Sequence, residues 1–197
     1  YIGNHSHSHD YLTKFTFQKF VEDIEKSIKI FNDKLGYNPS FFSYPFGEYN
    51  LEQKNYISNN FEFAFGQHSG VIDLNKDRYE LPRFPINEKY GEIKRFKEVI
   101  SYLPLQYKII KPENKFMNDG ENPPKMTIEF FEDQKNLENI NCFSNEGSKW
   151  RKTKIILIDN ILNINFSEKF IERRGRINCS LKDENGWRFS GFQFVQN

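Results

Sequence analysis

The stretch Phe41-Phe42-Ser43-Tyr44-Pro45-Phe46-Gly47-Glu48-Tyr49, continued through Leu51 to Phe61-Glu62-Phe63-Ala64-Phe65-Gly66, decides how the first half of this chain folds. Phe41 to Tyr44 reads as a short buried strand, and Pro45 and Gly47 break it. Leu51 to Asn59 reads as a helix, and Phe61 to Phe65 as a second strand closed by Gly66. The alternation is βαβ, so the class here is α/β.

Upstream, Phe17, Phe20, Val21, Ile24, Ile28, Phe31 and Leu35 recur at steps of three and four with charged residues between them. This spacing predicts an amphipathic helix with Thr16 as N-cap and Gly36 as the left-handed residue that ends it. Downstream, Ile93, Phe96, Val99 and Ile100 predict a third helix, and Pro104 interrupts the pattern, so the α/β region closes near residue 103. The text beyond it changes to short strands: Tyr107–Ile110, Met126–Phe131, Ile140–Phe143, Lys154–Ile158, Ile161–Phe166, Arg176–Leu181 and Trp187–Val195. A β-sandwich is expected over residues 104–197, with Lys111 to Pro124 as a long loop.

Composition narrows the function classes. The chain has 197 residues, enough for one large or two small domains. Its 21 Phe and 10 Tyr can bury a core although hydrophobic residues total 37%. With 28 basic against 27 acidic residues the net charge is +1, and nucleic acid is not an expected partner. The longest apolar run, Ile155 to Ile158, has the length of a strand and not of a membrane span. The chain starts at Tyr1 with no leader before a His-rich run, so an N-terminal segment is expected to have been removed. Cys142 and Cys179 lie outside any CxxC pair, which disfavours a thiolate metal site and leaves a disulfide open.

The chemistry is concentrated in Gly3-Asn4-His5-Ser6-His7-Ser8-His9-Asp10. Imidazole is a common zinc ligand, and residues i and i+4 face the same way in a strand or a helical turn, so His5 and His9 can share an ion. His7 joins them in a strand but not in a helix, and its role stays open. A purification tag or a polar surface loop is the plain alternative for such a run.

The run resembles the His-(Ser/Thr)-x-x-His metal motif of the NodB-type polysaccharide deacetylases, carbohydrate esterase family four. The helix text from Asp23-Ile24 through Ser27, Ile30 and Leu35-Gly36 is similar to theirs, and Phe42 to Tyr49 resembles their groove motif. Ala64 to Gly70 and Leu81-Pro82-Arg83-Phe84-Pro85 look like a further strand-end loop and Leu-Pro-Arg segment of one subgroup. Gly175 to Cys179 and Trp187 to Val195 resemble the last strands of a β-domain appended to some members.

The resemblance implies a partial (β/α) barrel over residues 1–103 and metal-dependent removal of N-acetyl or O-acetyl groups from a polysaccharide, outside the bacterial cytoplasm, in the periplasm or secreted. It implies zinc on His5 and His9, a groove formed by Tyr44, Pro45 and Phe46, and an oxyanion donor in the Phe46 backbone N–H. Members supply the base and the third ligand as adjacent Asp residues in a Thr-Phe-Asp-Asp motif, and this sequence has none. Asp10, Asp23, Asp133 and Asp159 do not match that motif. The first part of the domain is therefore expected to precede Tyr1, or a partner chain to complete the barrel. Ser43 stands where many members have an Arg that orients the catalytic Asp, and the closing Leu-x-His that supplies their acid is missing. Arg83 is the candidate for the first role and His68 for the second. Tyr49, Trp150 and Trp187 are read as core before sugar contacts. The alternative function is a non-catalytic carbohydrate-binding module or an inactive fragment.

Overall fold

The computed structural model describes residues 1–73 and 75–196. The chain divides into two compact units, Tyr1–Gln67 with Leu74–Pro82, and His68–Asp73 with Arg83–Asn197. This division falls earlier than residue 103, since the chain from Arg83 onward contacts the β-rich part.

The first unit is α/β. Helix α1 (Phe17–Leu35) starts at Thr16, whose side chain accepts the Lys19 N–H, and stops at Gly36, left-handed at φ 73°. Its buried face is Phe20, Asp23, Ile24 and Ser27, so two polar residues share the apolar stripe. Strand β1 (Phe41–Ser43) leads through the turn at Pro45–Gly47 to helix α2 (Leu51–Asn60). Asn50 and Gln53 close a reciprocal capping box at the start of α2. Strand β2 (Phe63–Phe65) then lies parallel to β1, Phe42 opposite Ala64. Phe61, expected in the strand, instead caps α2. Asn4 adds beside Phe42, and Leu81 beside Phe65, both parallel, so four chain segments run in one direction. The core gathers Leu12, Phe20, Ile24, Phe42, Tyr44, Tyr49, Ile57, Phe61 and Ala64. Each large apolar side chain buried there contributes roughly 1.5–3 kcal/mol.

A buried polar knot ties α2 to the 77–80 segment. Lys54 Nζ stands 2.7 Å from Asp77 Oδ2 and 3.4 Å from Glu80 Oε2, and the Tyr49 hydroxyl donates to Glu80 at 2.8 Å. Burial works against the Lys54 charge, but Glu80 and Asp77 outweigh it and the pKa ends above its ordinary value.

The second unit is mostly β. Helix α3 (Ile93–Ile100) forms where its period predicts, but it buries none of its residues, and Ile93, Phe96 and Ile100 are exposed. The strands are β3 (Leu103–Pro104), β4 (Ile109–Lys111), β5 (Phe116–Met117), β6 (Met126–Glu129), β7 (Asn141–Ser144), β8 (Arg151–Lys152), β9 (Lys154–Ile158), β10 (Ile161–Asn165), β11 (Arg174–Asp183) and β12 (Gly186–Gln196). One sheet has the order β4-β6-β10-β9, and the other β3-β12-β11-β7-β8 with β5 also on β12. Side chains of both sheets meet in one core that includes Met126, Ile128, Leu162, Ile164, Ile177, Leu181, Phe192 and Phe194. The stretch expected as a loop from Lys111 to Pro124 contains β5, which runs parallel to the end of β12 at Val195 and Gln196. Cys142 and Cys179 sit opposite each other in the β7–β11 ladder and are disulfide-bonded. No helix among the described residues is long and apolar enough to cross a membrane.

Candidate metal centre

The His-rich run is neither strand nor helix. It is a loop pinned at both ends by polar side chains. Gly3 lets the backbone approach β1, since a Cβ there would sit 3.1 Å from the Phe41 carbonyl oxygen. Asn4, fully buried, accepts the Ser6 N–H on its Oδ1 at 2.8 Å and donates its Nδ2 to Ser27 Oγ at 2.8 Å. Ser6 and His9 both take left-handed backbone at φ 66° and 54°, and the Ser6 hydroxyl oxygen accepts the His9 N–H at 3.0 Å. The Asp23 carboxylate of α1 accepts the His7 N–H at 2.9 Å and the Ser8 N–H at 3.1 Å, one on each oxygen. Hydrogen bonds to an ionised acceptor are about twice as strong as neutral ones, so Asp23 is the principal clamp on the loop.

Clamped in this way, the loop brings His5 and His9 together with ring centroids 4.7 Å apart and planes at 71°. The His5 Nδ1 lies 2.6 Å from the Ser43 carbonyl oxygen at the end of β1. A carbonyl can only accept, so Nδ1 carries the proton and the Nε2 lone pair is left for a metal. Two nitrogens on one zinc, each at about 2.0–2.1 Å, stand roughly 3.4 Å apart, a spacing that paired rings at this separation can reach. Two imidazoles are a donor pair of the kind zinc takes. No group of three His, Cys, Asp or Glu side chains that could hold a metal occurs among the described residues. His7 is exposed and does not complete the set. Asp10 is exposed and turned back on the Tyr11 N–H, and Asp23 is committed to the loop amides. Asp133 and Asp159 lie in the second unit.

The groove motif borders the histidines. Gly47 N–H bonds to the Tyr44 carbonyl at 2.8 Å and Glu48 N–H to the Pro45 carbonyl at 3.1 Å, which folds the motif into a tight turn. Phe46 is held at φ 58°, and Gly47 at φ 68° cannot carry a Cβ, which would come within 2.5 Å of the Gln67 backbone nitrogen. A left-handed backbone on a bulky residue costs on the order of 1–3 kcal/mol and concentrates at functional sites. The Phe46 ring meets His9 edge-on at 5.0 Å and stacks on Tyr11 at 4.3 Å. Phe46 thus stands beside the His9 imidazole. Tyr44 does not join it, because its ring is in the core against Phe42 and Tyr49 at 5.2 and 4.4 Å. Its hydroxyl has no hydrogen-bond partner among the described residues. Burial first, and then Asp77, Glu80 and Tyr79, push its pKa well above the ordinary value. Tyr49 is core too, whereas Trp150 and Trp187 are exposed.

His68 and Arg83 both belong to the second unit, where the Arg83 N–H bonds to the His68 carbonyl at 3.0 Å. The sequence-based site omitted Asp23, Tyr11 and the Ser43 carbonyl. Asp23 had a signal, being a carboxylate in the apolar stripe beside Phe20 and Ile24.

Residues 1–63, which carry the histidine loop, α1, the groove turn and α2, match the family model for polysaccharide deacetylase. The match spans about a third of the 197 residues and supports deacetylase chemistry in general terms. No curated protein matches the chain. No solved structure matches it either.

Proposed function

We propose that the first unit is part of the catalytic (β/α) barrel of a metal-dependent polysaccharide deacetylase of the NodB type, and that the second carries a β-sandwich. The observation that carries this reading is the His5–His9 pair, with His5 oriented through Nδ1 to Ser43 and Phe46 alongside. His5 and His9 supply two ligands to zinc, which when bound lowers the pKa of a water and polarises an acetyl carbonyl. The Phe46 backbone N–H, fixed by the Pro45–Gly47 turn, is the oxyanion donor, and the Phe46 and Tyr11 rings line the substrate groove. His68 and Arg83 belong to the second unit and are given no part in this centre. The base and the third ligand are not assigned to any of these residues. The substrate is an acetylated polysaccharide, and the Cys142–Cys179 disulfide favours a periplasmic or secreted location.

The test has two parts. In the full-length gene product, His5→Ala or His9→Ala is expected to abolish chelator-sensitive acetate release from a partly acetylated glycan. In this chain, zinc is expected to shift the His5 and His9 imidazole resonances together, leaving His7 and His68 unmoved. Unchanged acetate release in both variants overturns the reading. A second reading is a non-catalytic glycan-binding module, and glycan binding without acetate release by the full product selects it.

A further inference from the structure

The sheets of the second unit end in edges of two kinds. In the larger sheet the outermost strands β3, β5 and β8 have two residues each, and β3 contains Pro104. In the smaller sheet β4 has three residues and runs into Pro112. Short strands, proline and charge are the usual means of keeping an edge from pairing with another chain. The remaining edge has almost none of these protections. Strand β9 reads Lys-Ile-Ile-Leu-Ile, five residues whose one charge stands at the first position. Among the described residues it pairs on one side only, with β10, so its other side presents a row of backbone donors and acceptors.

Both faces of β9 are apolar. On the outer face Ile156 and Ile158 are 46% and 59% exposed, and Ile161 of β10, opposite Ile158, is 39% exposed. On the inner face Ile155 and Leu157 pack partly buried against the core. Each of these two borders a cleft. One, of about 680 Å³, is lined by Ile140, Thr153 and Ile155 among others, and the other, of about 500 Å³, by Leu137, Leu157 and Asp159, with Glu138 bordering both.

The sequence of β9 is suited to pairing with itself. An antiparallel pair with a two-fold axis at Ile156 sets Ile156 opposite its own copy, Ile155 opposite Leu157 and Lys154 opposite Ile158. Outer residues then face outer ones and inner face inner, as a sheet register requires. The exposed isoleucines of the two copies join into one patch. Leu157 of the second copy comes to the cleft at Ile155, and its Ile155 to the cleft at Leu157. The Lys154 end of each strand meets the Asp159 turn of the other, opposite charges at both ends, whereas a parallel pair would set Lys154 beside Lys154 and Asp159 beside Asp159. A two-fold contact of this kind closes on itself and stops at a dimer. We propose that β9 binds β9 of a second copy of this chain, antiparallel about Ile156, and joins the two four-stranded sheets into one. This dimer does not draw on the deacetylase reading.

Sedimentation velocity of the intact chain over a concentration series tests it. A monomer–dimer equilibrium is expected, and Ile156→Lys is expected to weaken it about tenfold or more, because two like charges then face each other on the axis. Tryptophan fluorescence checks that the variant is folded. Ile171→Lys, an equally drastic change at an exposed residue outside the sheets, is expected to leave the dimer intact. The register has its own readout: after air oxidation Ile156→Cys is expected to run as a covalent dimer on a non-reducing gel, and Ile158→Cys, which faces Lys154 of the other copy, as a monomer. A monomer at every concentration, or a dimer that Ile156→Lys leaves unchanged, overturns the proposal. Cross-linking of Ile158→Cys as efficient as that of Ile156→Cys overturns the antiparallel register.

Discussion

The two units use their buried polar groups in opposite ways. In the first, Asn4, Asp23, Ser27 and Lys54 are buried, and they hold loops: the histidine run through Asp23 and Asn4, and the 77–80 segment through Lys54. In the second, regular ladders do most of the holding. The β11–β12 hairpin forms ten residue pairs, from Arg174 with Val195 to Asp183 with Gly186, and a disulfide rivets β11 to β7. A structure held by ladders tolerates the loss of any one side-chain hydrogen bond, whereas a clamped loop depends on one or two residues.

The largest effect is therefore expected from the covalent link in the second unit. The bond between Cys142 and Cys179 closes a loop with a sequence separation of 37. In the chain-entropy model such a loop is worth about 4 kcal/mol, and a Cys142→Ala/Cys179→Ala double variant loses that amount. Trp150 and Trp187 both lie in the second unit, so tryptophan fluorescence during denaturant unfolding measures this loss there alone. Hydrogen exchange at Ile57 and Ala64 in the first unit is expected to stay unchanged. If those amides lose as much protection as the second unit loses stability, the contrast between the units fails.

Next comes the knot at Lys54. Lys54→Met removes the lysine from the partly buried Glu80, to which Tyr49 still donates, and because Asp77 is about one-third exposed the cost is expected below the 3–5 kcal/mol typical of a broken buried pair, about 2 kcal/mol. The pH dependence has a definite sign. The folded-state pKa values of Lys54, Tyr44 and Tyr49 all lie above their ordinary values of 10.5, 10.0 and 10.0. The native unit thus holds these protons more tightly than the unfolded chain does. Their contribution is complete below about pH 10 and is lost as pH rises through the folded-state values. Hydrogen exchange at Ile57 across this range is expected to show a steep alkaline loss that Lys54→Met makes shallower. An unchanged slope in the variant would show that Lys54 is not the group that titrates.

Much of the first unit's plan was legible from residue spacing. Thr16 and Gly36 bound α1 as expected, and Phe41 to Ser43 and Phe63 to Phe65 pair as the βαβ pattern implies. What could not be read was set by contacts distant in sequence. β5 exists only because Phe116 and Met117 find the end of β12, some eighty residues on. The third helix shows the reverse case, a correct period whose apolar face stays at the surface. At the candidate site, His5, His9 and Phe46 were visible as a motif, but the Ser43 carbonyl has no signature in sequence. Tyr44 was misplaced because an aromatic next to a groove Pro-Phe-Gly reads the same whether its ring points out or into the core.

The smallest effect on stability is expected at Asp23, and it bears most directly on function. Removing a charged acceptor of two hydrogen bonds would cost up to several kcal/mol if His7 and Ser8 were deeply buried. Both are exposed, so water recovers most of that and about 1–2 kcal/mol is expected for Asp23→Ala. The backbone carrying His5 and His9 nevertheless loses its clamp, and zinc affinity is expected to fall 10- to 100-fold, as for other supports of metal ligands. Zinc titration followed at the histidine ring protons gives the affinity, and amide exchange at His7 and Ser8 reports the loop without metal. Asp23→Asn keeps one acceptor oxygen and is expected to fall between wild type and Asp23→Ala in both measurements. Fast exchange at both amides with unaltered zinc affinity would mean that the histidines hold their spacing without the clamp, and the orienting role would pass to the Ser43 carbonyl alone.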